Sequence, residues 1–428
     1  MSIDLVITNL VWLGKKTNLL LSQGKIRELT PVLPTIGDGT KVRDGQGYVL
    51  LPSLIDAHVH LREPGYEYKE EINTGLKAAL GGGFGQVMAM ANTNPVNDQA
   101  SVTSFMLEKA KSFGGYPYLR PIGALTKGLA GKEMAPLAEL KDAGCVAFSN
   151  DGLPVLNNEL FRRCLEYSSD LGLKVIDHCE DPFLAEKGVI NEGKLSSFLG
   201  LKGVPTVAES LQVARDILLA AYLDVPIHLA HVSCAQSVEL IAWAKQKGIP
   251  ISAETCLHYL LLTEEACNDY NTLAKVNPPL RTQEDQMALV DGLKSGVIDI
   301  LVTDHAPHAD FEKDVPFAEA PNGISGLDTA LSLSLELLKQ GFCWQDLIDL
   351  WGTKPAQIFN LPFSTLEPGS EANFILVDPD YTWKVTAKNM FSKGKNTPWL
   401  NQILQGKVIV HFYQGKEVFN LKQEIAGF

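Results

Sequence analysis

Between residues 51 and 340, eight short β-branched runs alternate strictly with eight longer amphipathic segments, a pattern that consecutive βα units around a parallel sheet produce. The strand candidates are residues 51–57, 86–91, 118–123, 145–149, 173–178, 226–231, 250–254 and 298–303. The helical segments lie near 67–82, 98–113, 133–143, 157–170, 207–222, 234–247, 283–294 and 327–340. Eight such units predict an α/β fold of the (β/α)8 TIM-barrel type, whose usual length of roughly 250 residues leaves room for loop insertions. A doubly wound open sheet is the alternative.

The ends of the chain read differently. Residues 5–7, 18–21 and 25–29 form short strands parted by Gly and Asp turns, and 372–377, 407–412 and 416–419 repeat that style, with Gly415 placed for a hairpin turn. Both termini are therefore expected to build one small β-domain (1–51 and 356–428) beside a barrel of residues 52–355. No internal repeat or low-complexity linker interrupts the chain.

Hydrophobic residues make up 45% and charged residues 20% of the 428, an ordinary globular composition that argues against a disordered or fibrous chain. The net charge of −13 opposes nucleic acid and anionic membrane as partners, and no basic cluster offsets it. An anionic small substrate would need a few placed cations in a cleft. The seven cysteines are scattered and never spaced Cys-x-x-Cys, so they read as reduced, buried thiols. Residues 1–10 lack a basic start followed by an apolar run, and the apolar stretch near 217–223 is too short to span a bilayer, so a cytoplasmic location is expected.

The strongest chemical signal is Asp56-Ala57-His58-Val59-His60 at the end of the first strand candidate. Alternate residues of a strand share a face, so His58 and His60 can grip one metal ion; the alternative is two unrelated buried histidines. Further ligand types fall at the ends of later strands, where barrel active sites are built: Asp151, His178, His231 and Asp304. Taken singly, Asp151 could cap a turn before Gly152 and Asp304 could be a plain loop residue. Four histidines and two carboxylates on one rim exceed what one tetrahedral zinc needs and suit two divalent ions, with Asp151 as the bridging carboxylate. Arg62, two residues beyond the His58/His60 pair, can present a planar fork to a carboxylate, against the alternative of a surface salt bridge.

These motifs resemble the dihydroorotase branch of the amidohydrolase superfamily over nearly the whole chain. The resemblance is carried by residues 56–65 (DAHVHLREPG), Asn92-Thr93-Asn94-Pro95, Asp151-Gly152, His178-Cys179-Glu180, His231-Val232-Ser233, residues 277–281 (NPPLR), 303–308 (TDHAPH) and 322–327 (NGISGL). It implies a small β-sandwich made from both termini, His58, His60 and Asp304 at one metal, His178 and His231 at the other, and Asp151 bridging both. It further implies that Arg62, Asn92 and His308 bind a substrate carboxylate, while Asn277 and the backbone of Ala320, Pro321, Asn322 and Gly323 hold the ring. Three positions depart from the family pattern: Asn150 stands where many members carry Asp, Ala91 where proline is usual, and Gly85 where threonine is common.

The implied reaction is reversible hydrolysis of the cyclic amide of (S)-dihydroorotate to N-carbamoyl-L-aspartate, the third step of pyrimidine synthesis, with Asp304 moving the proton. Two zinc ions are the expected cofactors and a homodimer the expected assembly. Allantoinase or a dihydropyrimidinase/hydantoinase is the nearest alternative, although those relatives typically bridge their metals with a carboxylated lysine, and no lysine stands at position 151. A metal-free partner of aspartate transcarbamoylase is the alternative from another class; no ligand position is lost, yet physical association with that enzyme stays open. Residues 309–322 are read as either a closing lid or a solvated loop. His228, His258 and His411 are read as structural or surface residues, and His305 as support for Asp304.

Overall fold

The structure, a computed structural model, describes residues 3–35, 37 and 39–426. Its barrel strands are Leu54–Val59, Phe84–Ala89, Tyr118–Ala124, Ala147–Ser149, Lys174–Asp177, Ile227–Leu229, Ile251–Cys256 and Ile300–Val302. Each pairs in parallel with the next. A parallel bridge between Val59 and His305, with the His60 N–H donating to His305 O at 2.8 Å, joins the last strand to the first. Every residue of Leu54–Val59 and Phe84–Ala89 is buried, because helices cover the outer face while packed side chains fill the inner one. That two-sided burial explains why the runs read as nearly unbroken apolar stretches.

The eight expected helices appear as Ile72–Gly82, Ala100–Ser112, Leu137–Ala143, Asn158–Asp170, Val207–Leu223, Ala235–Gln246, Gln283–Ser295 and Ala330–Lys339. Their starts follow ordinary capping chemistry: the Asn157 side chain accepts from the backbone of Glu159 and Leu160, and Thr282 and Asp285 form a reciprocal box. Three features escape periodicity. A two-residue parallel pair, Ile190–Asn191 with Gly203–Val204, sits between the fifth strand and its helix. After the last long helix come Trp344–Ile348 and Lys354–Phe359, joined by a π-helical turn over Asp349–Thr353 that buries Trp351.

The third feature is a change of sheet inside one apolar run. Val49–Pro52 belongs to the terminal sheet, where Leu51 pairs with Ile375 and Pro52 with Phe374, and the barrel begins only at Leu54. Pro52 carries no N–H, and Ser53 N–H turns to Asn373 O at 3.2 Å, so the switch happens where the ladder is weakest. The terminal sheet runs Lys416–Asn420, Ile403–Tyr413, Phe374–Lys384, Val49–Pro52, Leu5–Trp12, Lys15–Ser22, Lys25–Thr30, with Lys41–Asp44 parallel to Leu5–Trp12. His411 fastens this sheet to the barrel: its Nε2 lies 2.8 Å from Ser53 Oγ and 3.0 Å from Tyr116 Oη, and its Nδ1 3.2 Å from Leu80 O.

Six cysteines are buried and none is bonded, but Cys343 is exposed, contrary to the uniform burial expected. Among the described residues no helix is long and apolar enough to cross a membrane.

Candidate active site

At the carboxyl ends of the barrel strands, Asp151 is the point on which four imidazoles converge. Its Oδ1 lies 3.7 Å from His58 Nε2, 3.6 Å from His178 Nδ1 and 3.3 Å from His231 Nε2, and its Oδ2 3.5 Å from His60 Nε2. Asp151 thus belongs to two ligand groups at once, one with His58 and His60 and one with His178 and His231. Asp304 stands across from it, 3.1 Å from His60 Nε2 and 3.6 Å from His58 Nε2. All six side chains expected to ligate are brought together. Asp304 is also grouped with Cys256 and His258, so His258 is a buried neighbour of the site, which decides for the structural and against the surface reading.

Neighbouring groups set the tautomers. His58 Nδ1 lies 2.6 Å from Glu254 Oε1 and His60 Nδ1 2.9 Å from Asn92 Oδ1; each ring donates there and turns the Nε2 lone pair inward. His58 Nε2 is buried and meets no hydrogen-bond partner, and His178 Nδ1 sits 2.9 Å from His231 Nε2 beside the Asp151 carboxylate. Facing imidazole nitrogens around a shared carboxylate form a donor set that fits divalent ions. Charge points the same way: burial opposes ionisation of Asp151, yet His58 and the other imidazoles hold its carboxyl well below the usual range. Burial likewise disfavours a charged His178, while Asp151 and Glu180 push it up to about 10. The pocket calls for positive charge.

The wall beside the imidazoles carries the groups expected to touch substrate. Arg62, Asn92, Asn277, Asn322 and Gly323 line a cavity of about 190 Å³ with His60, Asp151, His178, His231 and Asp304, while His58 lies outside its lining. The Arg62 guanidinium donates through Nε to Pro307 O at 3.2 Å, lies 3.4 Å from His308 Nε2, and has no ion-pair partner among the described residues. Burial, reinforced by the charges of Arg62, Lys313 and Lys69, lowers His308 to about 2, so it is a neutral ring whose Nε2–H donates to Asn322 O at 2.9 Å. Of the residues expected to touch substrate, His308, Ala320 and Pro321 do not line the cavity. The carbonyl of Ala320 accepts from Lys275 Nζ at 2.6 Å and that of Pro321 from Lys313 Nζ at 2.7 Å. Lys275 also holds Phe317 O and Ala318 O, which seats the 309–322 segment against the barrel.

Several contributors went unmarked in the sequence. Glu254 joins His58 to His228, whose Nε2 lies 3.0 Å from Oε2. Asp56 accepts from Thr303 N–H at 3.1 Å and Thr303 Oγ at 2.5 Å, tying the strand of His58 to the strand before Asp304. Arg62, His231 and Asp304 adopt φ of 62°, 32° and 45°, a left-handed backbone uncommon outside glycine. His305 faces away: its Nε2 meets Glu70 at 3.3 Å and its Nδ1 accepts from Gly326 N–H, so it braces the loop rather than Asp304.

Two of the departures acquire reasons. Asn150 Oδ1 accepts from Thr126 N–H and Oγ–H at 3.0 Å, and its Nδ2 donates to Leu129 O and Leu153 O, a double role a carboxylate cannot fill. A Cβ at Gly85 would lie 2.2 Å from the Tyr116 hydroxyl, so glycine is what admits Tyr116 there.

Known proteins resemble the chain in sequence and in fold. Residues 47–237 match a family model described as dihydro-orotase-like. A dihydroorotase of Syntrophus aciditrophicus is 46% identical over 408 residues, covering 95% of this chain and 96% of that one. A dihydroorotase of Acetivibrio thermocellus is 46% identical over 398 residues, or 91% and 93% of the two chains. Among solved structures, the L-hydantoinase of Arthrobacter aurescens superposes with a TM-score of 0.86 at 22% identity, covering 98% of this chain and 96% of that one. The dihydropyrimidinase of Brevibacillus agri gives 0.83 at 24%, with 97% and 95% covered. The barrel is thus common to cyclic amidohydrolases of differing substrate, while near-half identity along almost the full length decides among them: the chain belongs to the dihydroorotase family.

Proposed function

We propose that the protein reversibly hydrolyses the ring amide of (S)-dihydroorotate to N-carbamoyl-L-aspartate, with Asp304 as proton carrier and Arg62 as the carboxylate anchor. The observation that carries this division of labour is one cavity holding an unpaired guanidinium on one wall and the Asp151-centred imidazole cluster on the other. Hydantoin and dihydropyrimidine rings lack the carboxylate that Arg62 is placed to meet, which favours dihydroorotate over them.

His58, His60 and Asp304 would hold one divalent ion and His178 and His231 the other, with Asp151 shared; the imidazole-rich set favours zinc. Held there, such ions would supply Lewis acidity, acidifying water and polarising a carbonyl oxygen. The chain's own residues do the rest. Arg62 offers its Nη groups to the substrate carboxylate, and neutral His308, turned by Asn322 O, packs beside it without competing charge. Asn277, held by Glu180 at 2.7 Å, is placed to orient the ring. Asp304 is held ionised below the usual carboxylate range: burial opposes this, but the hydrogen bond from His60 and the nearby imidazole charges prevail. It can therefore take a proton from attacking water and deliver it to the departing amide nitrogen.

The test is ring opening of (S)-dihydroorotate by purified protein, followed in ultraviolet absorbance with metal content measured on the same sample. Turnover that disappears in Asp304→Ala while the metal stays supports the assignment. Turnover of hydantoin or allantoin in place of dihydroorotate overturns it.

A further inference from the structure

Two lysines beside the active-site wall are buried without a counter-ion: Lys275 is 4% exposed and Lys313 5%, and neither has an ion-pair partner among the described residues. Both amines are spent on the backbone of one segment instead. Lys275 Nζ donates to Ala320 O at 2.6 Å, Phe317 O at 2.7 Å and Ala318 O at 3.1 Å, so its three N–H bonds match three carbonyls. Lys313 Nζ donates to Pro321 O at 2.7 Å and Thr272 O at 3.2 Å. Among the described residues no backbone N–H reaches the carbonyls of Phe317, Ala318, Ala320 or Pro321, so the lysines are what holds them.

A buried ammonium is costly to keep. Burial pulls Lys275 down to about 8 and, reinforced by the charges of Lys275 and Arg62, Lys313 to about 7. An apolar side chain would fill either place without that cost, so the charge is explained by what it holds. What it holds runs directly into the site. Asn322 and Gly323, the next two residues, line the active-site cavity; Asn322 O accepts from His308, and Gly323 N–H donates to the backbone carbonyl of Lys275 itself at 2.9 Å. A Cβ at Gly323 would lie 2.6 Å from Ala306 O, so this strip is already packed to backbone contact. Lys275 also stands two residues before Asn277, another lining residue, and so joins two parts of the wall.

We propose that Lys275 and Lys313 are positioning residues for substrate: their ammonium groups pin the carbonyls of Phe317, Ala318, Ala320 and Pro321, and so fix Asn322 and Gly323 as a rigid wall against which the ring binds. The role presupposes the ring-amide hydrolysis proposed above. It makes the 309–322 segment part of the preformed site rather than a lid. Neither amine bonds to a member of the ligand set, so their loss should relax the wall and weaken substrate binding while the bond-breaking step keeps its rate, which is the signature of binding lost equally in ground and transition states.

Lys275→Met in the full-length, metal-loaded protein keeps the bulk of the side chain and removes its donors. The KM for dihydroorotate is expected to rise at least about tenfold with kcat within about threefold of the parent, metal content and melting transition being unchanged. Amide hydrogen exchange of residues 317–323 should quicken at least about tenfold while the barrel strands keep the parent's rates. Lys313→Met, which frees Pro321 and Thr272, should move KM and exchange in the same direction, and it carries the test if Lys275→Met loses the parent's melting transition. A lysine that served folding alone would, when replaced, lower the melting transition or kcat and leave KM in place. Unchanged KM, a fall confined to kcat, or unchanged exchange of 317–323 in a folded variant would each overturn the proposal. A parent that opens hydantoin and not dihydroorotate would overturn the substrate reading instead, and the same comparisons made with hydantoin would still decide the role of the lysines.

Discussion

Glu254 Oε1 lies 2.6 Å from His58 Nδ1, so a carboxylate of the seventh barrel strand sets the ring of a residue on the first. The same oxygen accepts from His231 N–H at 3.3 Å, and Oε2 meets His228 Nε2 at 3.0 Å. One side chain thereby orients candidates from both ligand groups. Burial works against its charge, but His58 and His228 bring its carboxyl down to about 2, so it stays ionised.

Glu254→Gln keeps the shape and removes the charge. With only one oxygen left to accept, the amide cannot serve both imidazoles as acceptor, and the His58 tautomer loses its anchor. Activity and metal affinity should each fall by roughly 10- to 100-fold, as is usual when a partner behind a metal ligand is removed. Measuring kcat/KM together with metal retained after dialysis against chelator checks this. Unchanged metal retention would mean that His58 needs no such support.

Arg62→Met should act mainly on substrate capture. Loss of a charge-assisted fork to a carboxylate costs about 1.5–3 kcal/mol, hence a rise in KM on the order of 10- to 100-fold. Hydantoin and dihydrouracil, which carry no carboxylate, should lose nothing. Equal losses for all substrates would place Arg62 in the scaffold instead.

The six ligand candidates were legible because strand-end position and residue type coincide, and the alternation of strands and helices marks those ends. Glu254 was not, since a glutamate within a strand has no spacing that points to a histidine nearly two hundred positions away. The φ of Asp304 and His231 is likewise invisible to composition. The switch of sheets at Ser53 was hidden for another reason: residues 49–59 are buried throughout, and Pro52-Ser53 is too brief a break to show, without tertiary pairing, that one strand has become two. The lysine bonds to the carbonyls of Ala320 and Pro321, from Lys275 and Lys313, were equally hidden, since no motif announces them.

His411 gives the fold an acid-sensitive joint between barrel and terminal sheet. It is fully buried, and desolvation lowers it from 6.5 to about 4, so it is neutral in the folded chain where the unfolded chain binds a proton. Its contribution is complete above pH 6.5 and is lost as pH falls from there to about 4, below which both states are charged. The full effect is about 3 kcal/mol. Urea midpoints at pH 7.5 and 4.5 should therefore differ less in His411→Gln than in the parent, and parallel shifts in the two proteins would remove His411 as a source of the acid sensitivity.

Proton balance fixes the direction of the catalysed reaction. Ring closure turns a carboxylate into a neutral amide and takes up one proton, whereas the second carboxylate keeps its charge throughout. Between about pH 5.5 and 8 neither carboxyl titrates, so each unit of acidification should shift the equilibrium about tenfold toward the cyclic form. Asp304 returns to its starting state in every turnover, so Asp304→Asn should slow opening and closing by the same factor, on the order of 10²–10⁴, without moving the final ratio. Following both directions to completion at pH 6 and pH 8 tests the two statements together: a ratio independent of pH would contradict the proton balance, and unequal slowing at a fixed ratio would violate reversibility, pointing to a second reaction in the sample.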